Sequence, residues 1–410
     1  MELDELVLNP YMDIVAPPGE EGAARITVQA PVKGYGLRVH EITAAKEPLL
    51  FEVLSALVKA GGELELDAGP EVVEALHRIG LLVKPEELSE WPRYRVAAEP
   101  AAELLPLRVR ESRPERADVE GLIVAPSFLF QREFQLRPDI AWPRDFEQEG
   151  RLRCFAEGPA FWVEYAPTGV QTPFWVEPRD AEALAALRPG QPPPELEPRL
   201  RALLRATGAL IDPATQAQAE HSRQALFRTL KAGFHGEGFS VCRDLLHPFE
   251  IAALRIYFRD LLAAGLIQYG DDPTENRYIA HNEPVSRMLH ARLRHLMDAV
   301  VGEPVKPSYS FLSYYQSGAR LKRHIDREQS RYSISLQVDY LPEPAGPTGW
   351  PLGFITVSGQ EGLADLRLGD AAVYRGVEIP HFRPGQLPAT HSSSHLILEY
   401  VLRSFTGILD

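Results

Sequence analysis

The stretch SYYQSGARLKRHIDREQSRYSISLQVDY, residues 313–340, constrains this chain more than any other. His324 and Asp326 stand two positions apart in it. On a strand, residues i and i+2 point to the same side, so an imidazole and a carboxylate can reach one metal ion from the same face. Two histidines and one carboxylate make a facial set that leaves coordination positions open, the arrangement used by non-haem Fe(II) oxygenases. Such a set needs one more histidine. His381, His391 and His395 all lie downstream, and His381 follows a Gly369-Asp370 turn, a strand over 371–374 and the Arg375-Gly376 turn. A lone His-x-Asp also arises by chance, as a surface ion pair on a strand.

Composition narrows the classes without choosing one. The 410 residues suffice for two or three domains, and 45% are hydrophobic. The formal charge of −14 disfavours broad contact with a phosphate backbone, which needs clustered Lys and Arg; no nucleic-acid partner is expected, though a locally basic pocket is compatible with it. The two cysteines, Cys154 and Cys242, are too few and too far apart for a disulfide framework or a thiolate zinc site, which suits a reducing cytoplasm. The N-terminus lacks the basic and apolar regions of a signal peptide. No run of 18 or more apolar residues occurs that would span a membrane. Of the remaining histidines, His40, His77, His221, His235 and His247 lack partners at ligand spacing.

Along the chain, alternation predicts strands over 25–29 and 35–40, and helical spacing predicts helices over 49–59 and 71–79. Gly80 ends the second helix, and Leu81-Leu82-Val83 continues as a strand. The pattern recurs: helices are expected over 181–187 and 197–206, then Gly208 and the strand Ala209-Leu210-Ile211. Val72, Leu76, Gly80, Leu82 and Pro85 correspond to Leu200, Leu204, Gly208, Leu210 and Pro213. Two readings account for this, an internal repeat of a small winged-helix-like module or the ordinary packing of helix–turn–strand units. Residues 105–176 are strand-rich. From about residue 216 helices are expected over 224–232, 247–264 and 284–301, with short strands and turns after them. Helices followed by strands suggest an α+β domain. The expected divisions are residues 1–104, 105–215 and 216–410.

Residues 230–405 resemble the Fe(II)/2-oxoglutarate-dependent dioxygenases, in particular their prolyl 4-hydroxylase-like branch. The resemblance rests on Tyr315, Gly318, Leu321, His324 and Asp326 in a Y-x-x-G-x-x-L-x-x-H-x-D pattern, on the strand RYSISLQVDY (331–340), and on the Gly369-Asp370 turn before His381. It implies a double-stranded β-helix (jelly-roll) backed by helices. It also implies Fe(II) held by His324, Asp326 and His381, with 2-oxoglutarate and O2 as co-substrates. Asp326 stands where halogenase relatives have a small residue, which implies hydroxylation or a related oxidation. One position departs from the pattern: where the family carries a basic residue for the far carboxylate of 2-oxoglutarate, this chain has His391, with Ser393 two further on. A neutral His cannot match the charge and fork of Arg. Arg383 and Arg331 are the alternative cations, with Tyr315 as a hydrogen-bond donor to the same carboxylate. Arg331 can equally pair with Glu328 or Asp339, and Trp350 can wall the pocket or cap the barrel.

Three functions follow from these readings. The first is hydroxylation of a peptide or protein side chain held by the N-terminal modules. The second is hydroxylation of a small metabolite, with the first 215 residues as scaffold or homodimer interface. The third is a non-catalytic binding protein on a degenerate β-helix. A groove running from the N-terminal part to His324 fits the first, and a closed pocket the second.

Overall fold

The computed structural model describes residues 6–9, 11–15, 25–33, 36–59, 69–88, 90–111, 120–143, 146, 151–271, 274–407 and 409. The first unit contains β1 (Val7–Leu8), β2 (Asp13–Val15), β3 (Arg25–Val32), β4 (Gly36–Thr43), α1 (Pro48–Lys59), α2 (Pro70–Arg78) and β5 (Leu82–Val83). β2, β3 and β4 form an antiparallel sheet, and β5 returns to pair with β1. Ile26, Val28 and Ala30 point from β3 into a core shared with Leu50, Leu54 and Leu57 of α1 and Leu76 of α2. After the short α3 (Leu107–Glu111) the same order repeats as β6 (Ile123–Val124), β7 (Leu129–Gln131), β8 (Ala160–Tyr165), β9 (Val170–Trp175), α4 (Ala181–Ala185), α5 (Pro198–Ala206) and β10 (Leu210–Ile211). β7, β8 and β9 form a sheet, and β10 pairs with β6. The bonds at the return correspond: Asn9 N donates to Leu81 O (2.9 Å) in one unit and Ala125 N to Ala209 O (2.9 Å) in the other. Gly80 and Gly208 take φ of 82° and 79°, the left-handed turn that lets each helix end and reverse into its strand.

The remaining chain carries α6 (Pro213–Gly236), β11 (Phe239–Cys242), α7 (Pro248–Ala263), β12 (Gln268–Asp271), β13 (Thr274–His281), α8 (Pro284–Val301), β14 (Val305–Tyr315), β15 (Tyr332–Leu341), β16 (Leu352–Ile355), β17 (Glu361–Ala364), β18 (Ala371–Tyr374), β19 (His381–Phe382) and β20 (Ser392–Leu402). It is a mixed α and β region built on a large antiparallel sheet of order β11-β18-β15-β20-β14-β13-β12, with a smaller sheet β17-β16-β19. A cluster containing Leu352, Phe354, Ala372, Tyr374 and Ile379 joins the two sheets. The helices lie on the large sheet, where the Tyr400 hydroxyl of β20 donates to His290 O of α8 (2.8 Å). α6 starts eleven residues earlier than the helix expected at 224, because Asp212 accepts from Ala214 N and Pro213 follows it, a favourable helix start. The expected boundary at 215/216 therefore falls in the first turn of α6.

The first unit has its own core, whereas the second unit and the large sheet share one continuous cluster from Tyr94 to Tyr400. An ion pair ties them: the fully buried Arg292 of α8 donates to Glu250 of α7 (2.9 Å), and Glu250 also accepts from Tyr94 (3.1 Å) and Thr172 of β9 (3.3 Å). A carboxylate this buried persists because three donors satisfy it. Cys154 and Cys242 are both buried, and they are not joined in a disulfide. No helix among the described residues is long and apolar enough to cross a membrane.

Candidate metal centre and its cavity

Two extended segments carry the triad. Residues 319–326 and 376–387 run antiparallel, through Asp326 N to Gly376 O (3.0 Å), His324 N to His381 O (3.1 Å), His381 N to His324 O (2.9 Å) and Arg383 N to Leu321 O (3.0 Å). His324 is therefore in an isolated bridge with His381 rather than in a regular strand. The i, i+2 geometry holds because the segment is extended. His324, Asp326 and His381 each offer a ligand atom, and these lie within 4.8 Å of one another. His324 Nε2 and His381 Nε2 are 3.7 and 3.5 Å from Asp326 Oδ1, slightly wider than the roughly 3 Å expected between neighbouring ligands on metal bonds of about 2.1 Å.

The donor set fits a divalent metal. His324 Nδ1 lies 2.8 Å from Lys322 O, and His381 Nδ1 3.3 Å from Ile379 O. An N–H donated there leaves each Nε2 lone pair aimed at the shared centre, the outer support that fixes a metal-binding tautomer. Burial and the neighbouring His381 ring lower the His324 pKa below the usual histidine value, which favours the neutral, ligating form. Asp326 is held from behind by Ser333, whose Oγ is 3.5 Å from Asp326 Oδ2 and 2.6 Å from Glu399 Oε2. Burial and the nearby Asp326 charge push the Glu399 carboxyl well above its usual range. A Cβ on Gly376 would overlap the Asp326 carboxylate and Ser330 O, so the Arg375-Gly376 turn needs glycine to let the two segments close.

A cavity of ≈ 700 Å³ opens in front of the triad. One wall comes from the large sheet, including Arg277, His281, Tyr309 and Tyr315. The floor carries His395, Ile397 and Glu399 of β20, and Arg383 also lines it. The wall on the N-terminal side is the hairpin of the first unit, through Arg25, Thr27, Gln29, Val39 and Glu41. Gln29 Nε2 donates to Gln268 Oε1 across the boundary (3.1 Å).

The five candidate cationic or polar anchors separate sharply. Arg383, two residues beyond His381 on the same extended segment, is 5% exposed. It donates to Trp350 O and to the His395 ring (2.8 Å), lies 4.4 Å over the Trp350 ring, and has no partner for Nε. Among the described residues no carboxylate pairs with it, and burial lowers its pKa to about 10. Burial and the Arg383 charge push the His395 pKa well down. Tyr315 is fully buried beside Trp350 (5.2 Å between rings). Ser393 does not line the cavity; it bonds to His395 (2.9 Å) and Gln337 (3.1 Å), one layer behind Arg383.

Arg331 and His391 lie outside the cavity. Arg331 caps a 3₁₀ turn with φ −59° and ψ −40°, which breaks the alternation before β15, and it meets Tyr332 and Glu378 instead. His391 precedes β20, beyond a Thr390 with φ 67°, and sits beside Tyr340 (5.6 Å). Trp350 joins the anchor by covering Arg383. His395 was legible only as a rival third ligand, and Glu399 and Ser333 were not legible as site residues. β20 is buried on both faces over most of its length, so the inward row Ser393, His395, Ile397, Glu399 leaves no alternation in the sequence.

No family model matches the chain, and no curated protein matches it. Solved structures do, among them prolyl hydroxylases and a 2OG-Fe(II) oxygenase family protein from Burkholderia pseudomallei. A Pseudomonas putida prolyl-4-hydroxylase is 17% identical, covering 43% of this chain and 100% of its own, with a TM-score of 0.36. A Trichoplax adhaerens prolyl hydroxylase, solved with a hypoxia inducible factor peptide fragment, is 13% identical over 46% of this chain and 93% of its own, at 0.39. HygX from Streptomyces hygroscopicus, solved with nickel, 2-oxoglutarate and hygromycin B, is 14% identical over 44% and 88%, at 0.36. Likeness at this level does not bear on what this chain catalyses; the residues do.

Proposed function

We propose that this chain is a non-haem Fe(II)/2-oxoglutarate-dependent hydroxylase of a peptide or protein side chain, with a double-stranded β-helix as its catalytic part. The observation that carries the reading is the pairing, in one cavity, of a two-histidine, one-carboxylate cluster with a buried Arg383 that has no acidic partner. His324, Asp326 and His381 would hold the iron. Iron bound there with 2-oxoglutarate and O2 supplies oxidative decarboxylation to succinate and CO2, coupled to hydroxylation of a C–H bond.

The chain's own residues set the stage for that chemistry. Lys322 O and Ile379 O orient the two imidazoles, and Ser333 orients the Asp326 carboxylate. Arg383 would give the far carboxylate of 2-oxoglutarate a charged partner, and its burial makes such a pair strong. Tyr315 stands beside it as a further donor, and Ser393 and His395 hold the guanidinium in place. The cleft reaching from the first unit to His324 favours a polymeric substrate, with the winged-helix-like unit as its holder.

The test is product formation. Succinate is expected when Fe(II), 2-oxoglutarate and O2 are supplied together, and none when any one is omitted or the metal is chelated. Absence of succinate from protein shown to bind iron would remove the co-substrate assignment.

A further inference from the structure

The two N-terminal units share one register, so their equivalent faces can be compared position by position. Asp13 pairs with Gln29 and Leu129 with Trp162, at the matching first residues of β2 and β7. Gln29 then pairs with Val39 and Thr27 with Glu41, as Trp162 pairs with Pro173 and Ala160 with Trp175. The same face is therefore Gln29, Val39, Thr27 and Glu41 in the first unit, and Trp162, Pro173, Ala160 and Trp175 in the second.

In the second unit that face is sealed by the chain itself. Trp162 and Trp175 are buried, and Phe134 packs on both, at 5.9 and 4.5 Å between ring centroids. The edge of β9 also carries an added extended segment: Trp175 N donates to Val96 O (2.9 Å) and Ala98 N donates to Trp175 O (3.1 Å). In the first unit the face is polar except for Val39 and lines the cavity. β4 is an edge strand with no neighbour on its outer side among the described residues. Glu41 holds the place of Trp175, so its N–H and C=O point outward from that edge, as they do at Trp175.

We infer that the substrate is an extended peptide segment that adds to the edge of β4 at Glu41, as residues 96–98 add to β9, and so lays its side chains over the cavity. Main-chain bonds to the edge hold such a segment with little demand on its sequence, while every second side chain points to one face. Val39 on one side of the cavity and Ile325 on the other are 39% and 58% exposed, apolar lips between which a chain can lie. This deepens the oxygenase reading by naming what the cavity takes. Binding is measured without turnover, so the two readings fail separately.

The experiment uses the full chain, immobilised and challenged with a displayed library of random peptides. A bound pool is expected whose addition slows hydrogen exchange at the Glu41 amide. Glu41→Pro removes that N–H at an edge position where proline is tolerated, and should weaken binding of the pool about tenfold, the worth of a hydrogen bond or two. Val39→Asp, at an exposed position, should also weaken it; this variant decides the matter if the proline variant loses its circular dichroism signal. The inference is overturned if no pool is enriched, if both variants bind it as the wild type does, or if protection falls on another segment.

Discussion

Asp326→Ala is expected to abolish binding of Fe(II), Mn(II) and Co(II), measured by calorimetric titration, with more than about a 100-fold loss of affinity. Its Oδ1 lies 3.7 Å from His324 Nε2 and 3.5 Å from His381 Nε2, which places the ion's single carboxylate ligand between the two histidines. The fold should survive, because Asp326 burdens its surroundings: its charge helps push the Glu399 carboxyl up. Loss of metal with unchanged circular dichroism supports the triad. A variant that binds metal as the wild type does would rule the site out.

Arg383→Met should separate stability from binding, with opposite signs. A fully buried cation without a carboxylate is costly to the empty protein, so the Met variant, which keeps the volume, is expected to melt higher than the wild type when no 2-oxoglutarate is present. It should lose most of its affinity for 2-oxoglutarate, because the ligand's carboxylate would then be buried unpaired, a penalty of about 3–5 kcal/mol or roughly 100- to several-thousand-fold. 2-Oxoglutarate should thus raise the melting temperature of the wild type and not of the variant, while metal affinity stays the same. Arg383→Lys should restore little, since a point charge lacks the planar fork that His395 and Trp350 O hold in position. A variant that melts lower and still binds 2-oxoglutarate would show that Arg383 is part of the packing alone.

What the sequence revealed and what it hid have physical causes. His324 and Asp326 were legible because their relation is local, two positions apart on an extended segment. His381 was legible through the turns before it. The anchor was harder. Counting along the chain points to His391, but a left-handed residue at Thr390 turns the chain just before β20 and leaves His391 outside. Arg331 stands one residue ahead of its strand, in a helical turn that spoils the parity. Arg383 shares the parity of His381, a signal as local as the His-x-Asp pair itself. The repeat was visible as matched apolar residues and glycines, because helix ends and returns depend on residue type. Its use was hidden, because nothing in β3 or β4 says that Thr27 and Gln29 look onto the cavity of His324, about 300 residues further along the chain.

The most direct test is an anaerobic titration of the purified chain with Fe(II) and then 2-oxoglutarate, followed in the visible range. A metal-to-ligand charge-transfer band that appears only when both are present, saturates at one equivalent of iron, and disappears in Asp326→Ala is the predicted result. Iron binding without any such band, at 2-oxoglutarate concentrations that leave the melting temperature unchanged, would contradict the assignment of this cavity as a 2-oxoglutarate-dependent iron centre.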